Sequence, residues 1–135
     1  MKRVLAVLAL LLAGCGVQPT DPIRGLPATG AMIYLVQANA TVPVLRPTRN
    51  QVDDNEVLAL LAEGPTAIER DAGLTTEVPA AAAPMMVDGS TVTLQVDPNS
   101  LSLTGVEQIA CTASAPGPVT LIGGGLSRGP ITCPV

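Results

Sequence analysis

The stretch "VLALLAEGPTAIERDAGLTTEVP", residues 57–79, contains two helix signals separated by a stop. Its leucines recur at the spacing of an amphipathic helix, which Gly64 ends and Pro65 prevents from continuing. Thr66 then stands at the position of an N-cap, with Glu69 three residues later as its capping-box partner. The sequence therefore predicts a helix, a sharp turn and a second, short helix.

The elements before this stretch are equally well marked. The first helix is expected to begin at Asp53, whose carboxylate can cap free amide groups, with Glu56 at the capping-box position. Capping and a favourable helix dipole therefore account for this acidic cluster better than a metal site does. Upstream, residues 31–37 and 40–47 are rich in β-forming side chains and predict two strands, the second of them at an edge because it contains Pro43.

Four further elements are predicted downstream: a strand at 75–79, a hairpin at 85–97, a helix at 104–115 and a closing strand at 117–123. The glycine-rich tail after 123 predicts a turn, with a final short strand as the alternative. The hairpin is expected to turn at Asp88-Gly89 with type I′ geometry, and Thr104 with Glu107 indicates a capping box at the start of the helix. The order β-β-α-α-β-β-β-α-β predicts an α+β fold. It would be a single small domain, a largely antiparallel sheet with two or three helices packed on one face.

The N-terminus has the pattern of an export signal. "MKR" is followed by about ten apolar residues, fewer than the roughly 20 that a membrane-spanning helix needs. "LAGC", ending at Cys15, resembles the bacterial lipobox, which implies a diacylglycerol on the Cys15 thiol and cleavage before it. We therefore expect a lipoprotein signal peptide at 1–14, a flexible tether at 15–30 and a folded domain at 31–135. The chain would be held outside the cytoplasm at the cell membrane by the lipid; the alternatives are an uncleaved anchor or plain secretion, with Cys15 as a free thiol.

Two cysteines remain when Cys15 is acylated. An even pair in an exported protein favours a disulfide between Cys111 and Cys133. Two free or buried thiols are the alternative.

The composition excludes many chemistries. The chain has no His, which removes Ser-His-Asp and Cys-His catalysis and the commonest transition-metal ligand. Its one lysine, Lys2, lies in the predicted signal peptide, so Ser-Lys and Schiff-base chemistry are absent from the expected mature chain. The net charge of −4 argues against nucleic acid as a partner. We predict no enzymatic activity, no metal and no cofactor; a hydrolase that uses paired carboxylates is the formal alternative.

The middle of the chain resembles the GerMN domain, the module named for sporulation and spore germination. The pattern is a strand with Tyr, a strand ending in Val-x-Arg, a Leu-rich helix closed by Gly-Pro-Thr, and then Glu, Gly-Leu and Thr-x-x-Pro. The matching residues are Tyr34, Val44, Arg46, Leu58, Leu61, Gly64, Pro65, Thr66, Glu69, Gly73, Leu74, Thr76 and Pro79. The resemblance covers residues 31–123 and is most specific over 58–79. It implies an extracytoplasmic α+β domain without catalytic activity that serves as an interaction or scaffolding module of the cell envelope.

We therefore predict a non-enzymatic, lipid-anchored domain that binds another envelope protein or a cell-wall component. The candidate interaction surface consists of Arg46, Gly64, Pro65, Thr66 and Glu69. For Arg46 the sequence leaves three alternatives open: an ion pair with Glu69, an ion pair with Asp71, or contact with a partner. The other interpretation of the Gly-Pro-Thr motif is structural, since it ends one helix and starts the next. The alternative function is an accessory lipoprotein that binds a small extracellular ligand.

Overall fold

In the computed structural model of the chain, the described residues are Gly25, 29–113 and 117–135. The predicted signal peptide, Cys15 and most of the predicted tether lie outside them. Within this part of the chain, no helix has the length and apolar character needed to span a bilayer. The domain boundaries and the lipid on Cys15 remain predictions.

The elements alternate between strands and helices along the chain. They are β1 (Gly30–Gln37), β2 (Ala40–Pro47), α1 (Asp54–Glu63), α2 (Ala67–Asp71), β3 (Met86–Asp88), β4 (Thr91–Thr93), α3 (Leu103–Thr112), β5 (Val119–Gly123) and β6 (Leu126–Ile131). Two short 3-10 helices, Ala80–Ala82 and Pro98–Ser100, lie in the connections. The α+β class is confirmed.

The first sheet is a two-stranded antiparallel ribbon of β1 and β2. Its turn consists of Ala38 and Asn39, both with positive φ (49° and 62°), as a type I′ turn requires. Pro43 lies opposite Tyr34, whose N–H bonds to the Thr112 hydroxyl and not to β2. The missing N–H of Pro43 therefore falls on the free edge of β2, and the predicted edge position is confirmed.

The second sheet has the strand order β3-β4-β5-β6, with β4 and β5 parallel and the other pairs antiparallel. The β3–β4 hairpin pairs Asp88 with Thr91, so its two loop residues are Gly89 and Ser90. Gly89 has φ 58°, whereas Ser90 is not among the residues with positive φ. This pattern belongs to a type II′ turn, and the predicted type I′ turn at Asp88-Gly89 is wrong.

Two details of the predicted order differ from the structure. Residues 75–79 do not form a strand: Thr75 makes an isolated bridge to Val36, and the N–H of Glu77 bonds to the Gln108 side chain. β6 is an additional strand that pairs with β5. The strands are thus divided between two sheets, and side chains of α3, the Thr112 hydroxyl and the Gln108 amide, bond the Tyr34 backbone groups that another strand would pair.

The helix caps follow the predicted chemistry in two cases out of three. Asp53 and Thr66 both cap their helices in complete capping boxes, as predicted. The predicted Thr104–Glu107 box is wrong, because α3 begins earlier and is capped by the Ser102 side chain. The earlier start places Gly105 in the first turn, where a Cβ would lie 3.0 Å from the backbone oxygen of Glu77.

The core is aliphatic and lies where α1 and α3 pack on β1 and on each other. Ribbon residues such as Ile33 and Leu35 meet helix residues such as Leu58 and Ile109, all completely buried. Val92 of β4 and Leu121 of β5 belong to the same cluster. This packing fixes the end of α1 against the inner face of the ribbon, which positions the candidate site.

Candidate functional site

The predicted site residues converge on one side chain, Arg46 of β2. Its Nε donates to Glu69 Oε1 at 2.9 Å and its Nη2 to Glu69 Oε2 at 2.6 Å, a bidentate ion pair. Nη1 donates to the Leu60 carbonyl oxygen at 3.1 Å, and Nη2 also donates to the Gly64 carbonyl oxygen at 2.7 Å. We call this group, Arg46 with Glu69 and the two carbonyls, the Arg46 clasp.

The clasp provides hydrogen-bond donors and a positive charge at the C-terminal end of α1. The last carbonyls of a helix have no intrahelical partner, and a cation near them is favoured by the helix dipole. α1 has no basic residue in its own last turn. Arg46 supplies the missing positive charge from the neighbouring strand, which it can do because Gly64 (φ 78°) turns the chain sharply there.

Glu69 belongs to the clasp and to the cap of α2 at once. Its Oε2 accepts from the Thr66 backbone N–H at 2.7 Å, and the Thr66 hydroxyl accepts from the Glu69 N–H. Hydrogen bonds from Arg46 lower the pKa of Glu69 from its ordinary 4.5 to about 2; partial burial opposes this, and the Thr66 backbone N–H adds to it. The Arg46 and Glu69 side chains are each 13% exposed, so the pair is largely shielded from solvent.

The structure thus brings all five predicted site residues together. Gly64 is buried, Pro65 is half-buried and Thr66 is exposed. The polar groups of Arg46 and Glu69 are engaged within the domain. The geometry gives these residues a structural task, and their role as an interaction surface stays a prediction.

The helix that the clasp holds displays an apolar side chain that the sequence analysis missed. α2 has no buried residue, and Ile68 on it is 81% exposed. A signal was present in the sequence, because the positions three and four residues from Ile68 are Gly64, Pro65, Asp71 and Ala72. An isoleucine without a large apolar neighbour on its own helix face is not part of an apolar stripe.

Gln108 on α3 was also missed. Its side chain is completely buried, with Nε2 donating to the Tyr34 carbonyl at 2.9 Å and to Thr76 Oγ1 at 3.1 Å. Its Oε1 accepts from the Glu77 N–H at 2.8 Å. One amide therefore ties β1 to the chain that follows α2. The sequence gives little sign of this role, because Gln108 stands between Glu107 and Ile109 in the predicted helix.

Cys111 and Cys133 form a disulfide in the structure, the pairing that the sequence favoured. The bond joins the end of α3 to the chain beyond β6 across a sequence separation of 22 residues.

Two open grooves lie outside the clasp. One of about 520 Å³ lies beside the β5–β6 turn and is lined by residues such as Ile122 and Leu126, with no charged side chain. The other, about 500 Å³, lies beside the Ala80–Ala82 turn, and Glu63 is its one charged lining residue. Neither groove therefore offers the two carboxylates of a glycoside hydrolase. Across the described ranges, no three Cys, Asp or Glu side chains are grouped to hold a metal.

Comparison with known proteins gives a match among solved structures. No protein-family model matches the chain, and no curated protein matches it. Among solved structures, the tandem GerMN domains of the sporulation protein GerM from Bacillus subtilis match with 21% sequence identity and a TM-score of 0.49. The match covers 79% of this chain and 43% of that one, so this chain spans less than half the length of the GerM structure. This chain is similar to those tandem GerMN domains over the matched part, and the resemblance of residues 58–79 to the GerMN pattern rests on the sequence alone.

Proposed function

We propose that the chain is a non-enzymatic, lipid-anchored domain of the cell envelope that binds another envelope protein through α2. The observation that carries this proposal is that α2 is held in place by the Arg46 clasp and a capping box and yet buries none of its residues.

The way in which α2 is stabilised supports a role in presenting side chains to a partner. Ordering each residue costs about 1–2 kcal/mol of backbone entropy, which buried apolar area usually offsets. The five residues of α2 contribute no buried apolar side chain, so the ion pair and the capping bonds must offset that cost. A segment ordered in this way holds its outward side chains in a fixed geometry without serving the core.

The composition of the displayed surface fits a small protein contact. Ile68 is 81% exposed, and the exposed polar residues Thr66, Arg70 and Asp71 surround it in sequence. An apolar centre with a polar rim is the usual arrangement of a protein–protein interface. Because this apolar centre is a single side chain, we expect a contact of modest affinity that a membrane anchor would assist by raising the local concentration.

The test places a photo-crosslinking amino acid at position 68 of the full chain in its native host. The matched control carries it at Leu103, which is 65% exposed at the start of α3. We expect a defined protein adduct from position 68 and none of the same mass from position 103. The same adducts from both positions, or none from position 68, would refute the assignment of the contact to α2.

The anchor needs a separate measurement. The intact mass of the protein from its own membranes should correspond to residues 15–135 plus acyl chains. Cys15→Ser should abolish both that mass and membrane retention. An unacylated protein that remains in the soluble fraction would contradict the anchored part of the proposal.

A further inference from the structure

The outer face of the β1–β2 ribbon is apolar although it is exposed. Alternation along a two-stranded ribbon usually leaves its wet face polar. Here the register places Met32 beside Leu45 and Tyr34 beside Pro43 on that face, with Pro47 at its end. Met32 and Leu45 are 42% and 43% exposed. We call these five residues the ribbon face.

The charges are distributed unevenly along the sequence. Residues 22–52, which include the ribbon, contain three arginines and no acidic residue, whereas residues 53–135 contain ten acidic residues and two arginines. Arg46 is engaged in the clasp on the inner side of the ribbon, and Arg49 is exposed just beyond the end of β2. Besides Arg46, Arg49 is therefore the one charged residue in the described segment 29–52, and the acidic residues begin at Asp53.

The exposed part of the ribbon face lies at the end where the chain arrives from Cys15. At the turn end, Val36 and Thr41 are buried, whereas Met32 and Leu45 near the start of β1 are open. Gly30 follows Cys15 by 15 residues, so even a fully extended chain reaches at most about 50 Å. A lipid on Cys15 would hold this end of the ribbon near the bilayer.

We propose that the ribbon face lies on the lipid surface to which Cys15 anchors the chain, an inference that rests on the anchor of the proposed function. Met32 and Leu45 enter the boundary between headgroups and acyl chains, and Tyr34 lies at the level that amphipathic aromatic rings favour. Arg49, exposed just beyond the end of β2, faces anionic headgroups.

This orientation also determines where α2 lies. Arg46 pairs in register with the buried Ala31, so its side chain extends from the inner side of the ribbon to reach α2. With the ribbon face on lipid, α2 lies on the far side of β2 from the bilayer. The contact surface of the proposed function is then accessible to a partner in the envelope.

The test uses tryptophan as a depth reporter, since the chain contains none. Leu45→Trp places the reporter on the ribbon face, and Ile122→Trp is the control, because Ile122 is 37% exposed on the second sheet. Each full-chain variant is purified from its own membranes and reconstituted into phosphatidylethanolamine–phosphatidylglycerol vesicles that carry brominated acyl chains. Circular dichroism checks that both variants are folded.

We expect both variants to float with the vesicles, and Leu45→Trp to show a blue-shifted emission with several-fold stronger bromine quenching than Ile122→Trp. Flotation with equal quenching at the two positions would refute the docked ribbon and leave the anchor standing. A blue shift without bromine quenching would show that protein covers the face, and would also overturn the proposal. Absence of flotation would refute the anchor and the docking together.

Discussion

Because Glu69 is charged in the Arg46 clasp, we expect the clasp to make the free energy of unfolding depend on pH in a defined range. Glu69→Gln keeps the shape of the side chain and one of its two acceptor oxygens, but replaces the other oxygen with an NH2 donor and removes the negative charge. A pKa of about 2 in place of 4.5 corresponds to about 3.4 kcal/mol of preference for the charged form in the folded state. Since the pair retains contact with water, we discount this and expect Glu69→Gln to lower the free energy of unfolding by about 2 kcal/mol at pH 7.

The sign of the pH dependence follows from the direction of the pKa change. Folding depresses the pKa of Glu69, so its contribution is fully present above the unfolded-state value of about 4.5 and is lost as the pH falls towards 2. The difference between wild type and Glu69→Gln should therefore be constant from pH 7 to pH 5 and shrink towards zero near pH 2. The protonated glutamic acid is then nearly equivalent to the amide.

Urea unfolding followed by far-ultraviolet circular dichroism measures this difference, since the chain has no tryptophan for fluorescence. Glu63→Gln is the matched control, because Glu63 is an exposed carboxylate at the end of α1. We expect that control to stay within about 0.5 kcal/mol of wild type at every pH. A Glu69→Gln effect no larger than the control, or one that persists unchanged at pH 2, would refute the clasp as a charged interaction.

Three further substitutions test the packing around the site. Gly123→Ala should lower the free energy of unfolding by about 3 kcal/mol or more in urea titrations, because a Cβ there would overlap the Val96 carbonyl oxygen. Gln108→Leu should cost about 3 kcal/mol by the same measurement, since it removes the partner of the partly buried Tyr34 carbonyl, Glu77 N–H and Thr76 hydroxyl. The exposed Gln51→Leu should cost less than about 0.5 kcal/mol, and equal costs would contradict the role of the buried amide. Cys111→Ser should lower the free energy of unfolding by about 3 kcal/mol, the value expected for the loss of a disulfide that closes a loop of this length. A reductant should then have no further effect on the variant. A reductant that still destabilises the variant would refute this account.

Local chemistry made the 53–73 region predictable. Capping boxes and a glycine stop depend on residues within four positions of one another, so Asp53, Thr66 and Gly64 could be assigned without knowing the fold. The start of α3 could not be assigned in this way. Ser102 and Thr104 are both good N-caps, and the choice between them depends on the close approach of Gly105 to Glu77, which is distant in sequence.

Tertiary contacts also decided the segment after α2. "TTEVP" has the composition of a strand, but only Thr75 pairs, because the Gln108 amide bonds the N–H of Glu77 instead. The clasp shows the same limit. Arg46 and Glu69 were both selected as site residues, yet the sequence left open whether Arg46 pairs with Glu69, pairs with Asp71 or faces a partner. That choice depends on how β2 packs beside the end of α1, which no local pattern encodes.

The last prediction separates the residues that order α2 from the residue proposed to contact the partner. If the clasp orders α2 and Ile68 makes the contact, stability and binding should respond to different substitutions. Ile68→Asp should leave the free energy of unfolding within about 0.5 kcal/mol of wild type, because an exposed side chain is lost and an acidic group in the first turn favours the helix dipole.

The same Ile68→Asp substitution should abolish recovery of the partner identified by crosslinking, whereas Leu103→Asp at the start of α3 should retain it. Glu69→Gln should show the reverse pattern, with lowered stability and retained binding under conditions where the variant is still folded. The readouts are urea unfolding and co-purification of the same partner from solubilised membranes. Loss of binding by Glu69→Gln while folded, with Ile68→Asp unaffected, would move the contact from the displayed isoleucine to the clasp itself.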